Sequence, residues 1–250
     1  MRKINDESMI LLILDHTKFG IAGLHTCGDL GSALIQLYAK CEEAKALYSV
    51  ACCHMRLTST FPLSHYVSTF QRKEISKDAE CLSYLSKELS CHAIETYVQR
   101  LKTQEEYSKL KVHCYRALLE LLIHEKNPNL RHSALKSVTK CHLISFREYA
   151  EKATQGLNLT LDFNDSILLE KIDLHLSEWW NVVIYYSLRL LFAPLIETVI
   201  LLDRCLYLLD EGHSSYLVPI FDPLLSPRNH VLMSVKNVQT VTEEKKRKFL

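Results

Sequence analysis

The run GLHTCGDLG, residues 23–31, sets His25, Cys27 and Asp29 among Gly28 and Gly31, directly after the apolar stretch FGIAG. A second set, Cys52, Cys53 and His54, closes another apolar stretch, ALYSVACC, at 46–53. Such residue types serve three chemistries: a thiol nucleophile with a histidine base, a Cys/His metal corner, or a glycine turn that lets backbone approach a ligand. The nucleophile reading pairs Cys27 with His54, or Cys91 with His92. The second pair falls in a helical segment, where neighbours in sequence do not face each other. The metal reading lacks a C-x-x-C partner, and adjacent cysteines on a strand point to opposite sides, so no metal is expected. Packing of Cys52 and Cys53 as buried sulfur competes with a place beside substrate.

The elements that must position these residues follow from periodicity. GIAGLH (20–25) reads as a strand. DLGSALIQLYAK carries Leu30, Leu34, Leu37 and Tyr38 at helical spacing, with Asp29 as N-cap, and ALYSVACC reads as a second strand. Strand, helix, strand at this spacing makes a βαβ unit in a parallel sheet, and both strands are apolar nearly throughout, as doubly covered strands are. Ligands bind such sheets at the carboxyl ends of the strands, where HTCGD and CCHM both lie. Amides at the start of the helix can then receive a carboxylate or hydroxyl.

With 250 residues the chain buries roughly three-quarters of its unfolded surface. Thirty Lys and Arg against 29 Asp and Glu exclude nucleic-acid binding driven by bulk charge. Nine scattered cysteines and the absence of a signal pattern in MRKINDESMILLILDH, where the apolar run is short, point to reduced thiols. A cytoplasmic or nuclear, non-secreted protein is expected. The apolar region 179–212 is interrupted by Arg189, Pro194, Glu197, Asp203 and Arg204, which favours a long buried helix over a membrane span, so no membrane partner is expected. Glu197, Asp203 and Arg204 are candidate members of buried ion pairs.

The division expected is a βαβ core over 1–75, a helical insertion over 76–160, a long buried helix with a closing β-hairpin over 161–237, and a polar tail over 238–250. In the tail, EEKKRKFL is basic enough to serve as a localisation signal, although a solvated terminus is the commoner fate. In FDPLLSPRN, Pro223 and Pro227 fix the hairpin turn, Asp222 and Arg228 can pair across it, and a Ser-Pro-Arg loop can meet a phosphate backbone.

The motifs GLHTCGDL, SVACCHM, FPLS, SCHAIETY, PLIETVILLDR and VPIFDPLLSPRN occur in this order over residues 20–237. Together they resemble the methyltransferase-like protein 25 family, with its ribosomal-RNA adenine dimethylase domain-containing relatives. The resemblance implies an α/β fold: a partial class I methyltransferase (Rossmann-like) sheet with a large helical insertion and a C-terminal antiparallel hairpin. GIAGLH would be its fourth strand and ALYSVACC its fifth. It implies S-adenosylmethionine as cofactor, with His25, Cys27, Gly28 and Asp29 on the cofactor side and Cys52, Cys53 and His54 beside substrate. The catalytic residues and the methyl acceptor, RNA or protein, are not specified.

The Gly-rich cofactor loop of such enzymes has no counterpart, since no G-x-G occurs. The chain therefore reads as the C-terminal part of its family, with an unpaired edge on the strand at 20–25. Two functions follow. One is methyl transfer from S-adenosylmethionine; the other is an inactive, truncated remnant acting as a protein-interaction module, completed by a partner chain or by an N-terminal half.

Overall fold

The computed structural model describes residues 9–13, 17–58, 60–75, 80–131 and 133–236. The chain forms two units, residues 1–94 with 191–250, and residues 95–190. The helical unit thus lies later in the chain than the 76–160 expected from composition. The polar tail, 238–250, lies outside the described residues.

The first unit is built on a mixed sheet of β1 (Met9–Ile13), β2 (Phe19–Thr26), β3 (Ala44–Ala51), β4 (Ser215–Pro219) and β5 (His230–Val235), in the order β1-β2-β3-β5-β4. β2 and β3 are parallel, and the other neighbours are antiparallel. The βαβ unit and the late hairpin expected from the sequence are both present. The unpaired edge is not: Met9 to Ile13 pair with Gly23 to Phe19 on the free side of β2. A run too short for a signal segment is long enough for a strand, and pairing satisfies the backbone groups an open edge would expose.

Between β2 and β3 runs α1 (Asp29–Lys40), whose Leu34, Ile35 and Tyr38 pack with Ile21 and Leu47 of the sheet. The same core takes Leu232 of β5 and Tyr207 and Leu208 of a late helix. Each fully buried aliphatic side chain here contributes about 1.5–3 kcal/mol of transfer free energy. The carboxyl end of α1 is held from the sheet: Lys236 Nζ donates to the carbonyls of Cys41 at 2.9 Å and Ala39 at 3.2 Å, and to that of Tyr38. A cation thus meets helix carbonyls that have no intrahelical partner.

Short helices α2 (His65–Phe70) and α3 (Tyr84–Leu89) follow β3, each capped by a serine hydroxyl, Ser64 and Ser83. The second unit holds most of α4 (Ile94–Arg100), then α5 (Gln104–Lys109), α6 (Lys111–Lys126), α7 (Phe146–Ala153), α8 (Ser166–Ser177) and α9 (Trp179–Leu190). α6 supplies its centre: Tyr115, Leu118, Leu119, Leu122 and Ile123 pack with Phe146, Tyr149 and Ala150 of α7 and Ile172 of α8. Ser145 caps α7 by accepting from the Glu148 amide at 3.2 Å, the S-x-x-E arrangement of helix starts.

The long buried helix expected over 179–212 is instead two helices, α9 and, in the first unit, α10 (Ala193–Asp210), separated at Leu191–Phe192 just ahead of Pro194. Much of it is also exposed. Trp179–Asp210 is long and apolar enough to cross a membrane by length and composition, yet only 22% of its most apolar window is buried. α10 meets its own unit through Ile200, Leu201, Asp203, Arg204, Tyr207 and Leu208.

Candidate functional site

At the carboxyl end of β2 the chain turns sharply. The Cys27 amide donates to the His25 carbonyl and the Leu30 amide to the Cys27 carbonyl, so α1 starts within three residues of the strand. Gly28 occupies the cap position with φ of 53°, a left-handed value that favours glycine. Asp29, expected as the cap, is the first helical residue, and no side-chain cap bond forms. Its carboxylate reaches sideways, accepting from the Thr58 amide at 3.0 Å and from the Thr58 and Thr60 hydroxyls.

The segment after β3 is therefore tied to the start of α1. The Gly28 amide donates to the Cys53 carbonyl at 3.0 Å. A methyl group on Gly28 would stand 2.5 Å from the Arg56 carbonyl oxygen, so only glycine permits this approach. From the other side, buried Lys87 donates from Nζ to the Leu57 carbonyl at 2.8 Å. Below the turn, Thr26 is buried, with Oγ1 donating to the Val50 carbonyl at 3.2 Å. Thr58, Thr60 and Lys87 gave no sequence signal, because their role depends on loops distant in the chain meeting in space.

This closure brings three thiols together. The Sγ atoms of Cys27, Cys52 and Cys53 all lie within 4.8 Å of one another, each residue half-buried. The expected divergence of Cys52 and Cys53 fails because β3 ends at Ala51; past the last strand residue, alternation no longer applies. Burial first, then the hydrogen bond with Cys27, pushes the Cys52 thiol up to about 12, and the same causes raise Cys53.

The histidines do not join the group. His25 is exposed at the end of β2. His54 is fully buried, and Nε2 lies 3.8 Å from Glu197 Oε1, beyond hydrogen-bond reach. Burial lowers its pKa, against the opposing pull of Glu197, so the ring is neutral at pH 7. Its amide donates to Cys91 Sγ at 3.1 Å, which assigns Cys91 to the loop behind the thiols. His92 instead bonds Glu88 at 3.0 Å.

The charged residues of the apolar helix have structural partners. Glu197 pairs with Arg228 at 3.0 Å. Asp203, 1% exposed, accepts from the amides of Leu63 at 2.7 Å and Ser64 at 2.9 Å, and from the Ser64 hydroxyl. The pairing expected between Asp222 and Arg228 is replaced: Asp222 accepts from the Leu224 amide within the turn, while Arg228 also donates to the Ser90 carbonyl. Arg228 is thereby held by two acceptors within the protein.

For a nucleoside-type cofactor the described residues offer one flank. His25 and Cys27 stand at the open end of β2. The glycine cradles are filled: Gly28 by Arg56, and Gly31 by Thr26 and by Arg204, whose Nη2 would meet a Cβ at 3.1 Å. The Asp29 carboxylate is engaged by the threonines. The described residues thus do not make a complete cofactor cradle. A cavity of about 670 Å³ is lined by Gly212–Ser214, Tyr216 and Met233–Lys236. It lies at the other end of the sheet, since Val235 pairs with Ala46 whereas Val231 pairs with Val50 beside the thiols.

A methyltransferase domain family model matches residues 4–60, which hold β1, β2, β3 and both candidate motifs. The human protein named probable methyltransferase-like protein 25 is 29% identical over 252 aligned residues, covering 94% of this chain and 40% of its own length. The mouse protein of the same name is 26% identical over 238 residues, covering 86% of this chain and 37% of its own. The chain thus spans about two-fifths of the length of the curated relatives it matches. No solved structure matches.

Proposed function

With these matches supporting assignment of the chain to the methyltransferase-like protein 25 family, we propose that it forms the acceptor-side part of an S-adenosylmethionine-dependent methyltransferase. One observation carries the reading. Parallel strands β2 and β3 end together, and their ends are drawn into a single site by the bonds from Gly28 to Cys53 and from Thr58 to Asp29. This is the position at which open α/β sheets receive ligands. The order β2-β3-β5-β4, with a reversed hairpin at the edge, supports a Rossmann-like methyltransferase sheet in which β2 and β3 stand fourth and fifth.

In this reading His25 and Cys27 flank the cofactor, while Gly28 and Asp29 serve it by holding the two loops in register. Cys52, Cys53 and His54 form the wall behind the acceptor. Methyl transfer depends chiefly on in-line positioning of acceptor and methyl group, so the lack of an evident base among these residues is compatible with it. The packing of Asp203 against the 63–64 backbone favours a protein-bound α10 over a membrane-spanning one.

Calorimetric titration of S-adenosylhomocysteine into the folded chain tests the reading. Weak, saturable one-site binding is expected, reduced about tenfold by His25→Ala, a change that leaves the fold intact because His25 is exposed. A folded chain that takes up no S-adenosylhomocysteine at millimolar concentration would overturn it.

A further inference from the structure

The geometry points to a thiolate metal site at Cys27, Cys52 and Cys53, taking a soft divalent cation of the zinc type. Three sulfur ligands come from two loops, and their Sγ atoms already lie within 4.8 Å of one another. Tetrahedral coordination at zinc–sulfur distances of about 2.3 Å needs sulfurs about 3.8 Å apart, so closure takes a movement of about 1 Å, within the reach of cysteine side-chain rotation. The backbone is already fixed for it. The Gly28 amide bonds the Cys53 carbonyl and Asp29 holds Thr58, which ties the two loops together. The other neighbouring donors are excluded: Asp29 is held by the threonines, and neither His25 nor His54 falls in the group.

Three protein ligands leave a fourth position open, as in catalytic rather than structural zinc sites. Water or a donor atom of a substrate would complete the shell there. The site stands independently of the methyltransferase reading, because metal uptake is measured with no cofactor present.

The test uses the whole chain, reduced and freed of metal with a chelator, then titrated with Co²⁺ and Zn²⁺. Expected is one equivalent of Co²⁺ bound with a strong thiolate-to-cobalt charge-transfer absorption, displaced by Zn²⁺. Cys27→Ser and Cys53→Ser should each lose at least tenfold in affinity, and Cys41→Ser, at the far end of α1, should change nothing. Should a serine variant fail to fold, X-ray absorption of the zinc-loaded wild-type chain decides: three sulfurs at about 2.3 Å support the site. A shell of nitrogen and oxygen alone, the absence of a stoichiometric equivalent, or equal loss in Cys41→Ser would overturn it. So would a reduced chain that binds no metal but forms a Cys27–Cys52 or Cys27–Cys53 disulfide on mild oxidation.

Discussion

The Gly28 amide donates to the Cys53 carbonyl oxygen at 3.0 Å, joining the end of one parallel strand to the end of the next. The contact is close because no Cβ stands between Gly28 and the Arg56 backbone. Gly28→Ala would combine a left-handed φ of 53° with a 2.5 Å clash against a carbonyl oxygen. Stability should fall by at least about 2 kcal/mol in urea denaturation, against a few tenths for an exposed control such as Lys136→Ala.

The carboxylate of Asp29 holds the 58–60 segment in place. Asp29→Ala removes a charged acceptor from the Thr58 amide and two hydroxyls, and should cost about 1.5–3 kcal/mol. Thr60→Val, which removes one of these donors, should cost less than half as much. Chemical denaturation of both variants measures this, and equal losses would contradict the assigned role.

Asp203 supports the same region from α10. With Asp203→Ala, the amides of Leu63 and Ser64 lose their acceptor while Arg204 remains buried, so a loss of about 3–5 kcal/mol is expected. Asp203→Asn keeps one acceptor oxygen and should recover part of it. Thermal unfolding monitored by circular dichroism separates the two.

High pH should destabilise the chain through its buried tyrosines. Burial raises the phenols of Tyr38, Tyr97, Tyr115, Tyr149 and Tyr207 above their ordinary value; for Tyr38 the Ser234 hydroxyl, 3.0 Å away, opposes this in part. Below about pH 10 the phenols are protonated in both states and the stability they give is fully present. Above it the unfolded chain releases protons first, so stability falls as pH rises toward the folded-state values. Tyr38→Phe should flatten this slope in denaturation measured between pH 9 and about 11.

Much of this arrangement is legible in the chain itself. FGIAG and ALYSV are apolar on both faces and separated by a helical period, which dictates β2, α1 and β3; Pro223 and Pro227 mark the hairpin turn. What the pattern does not carry is the meeting of loops. Thr58 and Thr60 are ordinary polar residues until Asp29 turns to them. The convergence of Cys27 with Cys52 and Cys53 depends on β3 stopping at Ala51, one residue before alternation would have separated the pair. Nor does apolar composition distinguish a helix buried on most sides from α9 and α10, where Ile184, Leu188, Leu195 and Leu202 are exposed.

Site-resolved alkylation tests most directly whether the carboxyl ends of β2 and β3 receive the cofactor. Cys27 and Cys41 are both half-buried, and Cys41 lies at the opposite end of α1, so it serves as an internal control. The metal-free, reduced chain is labelled with iodoacetamide, with and without saturating S-adenosylhomocysteine, and quantified by mass spectrometry. Several-fold slower labelling of Cys27, with Cys41 unchanged, is the expected result. Unchanged labelling of Cys27 on adding the ligand, or protection at Cys41 alone, would contradict the placement of the ligand at this end of the sheet.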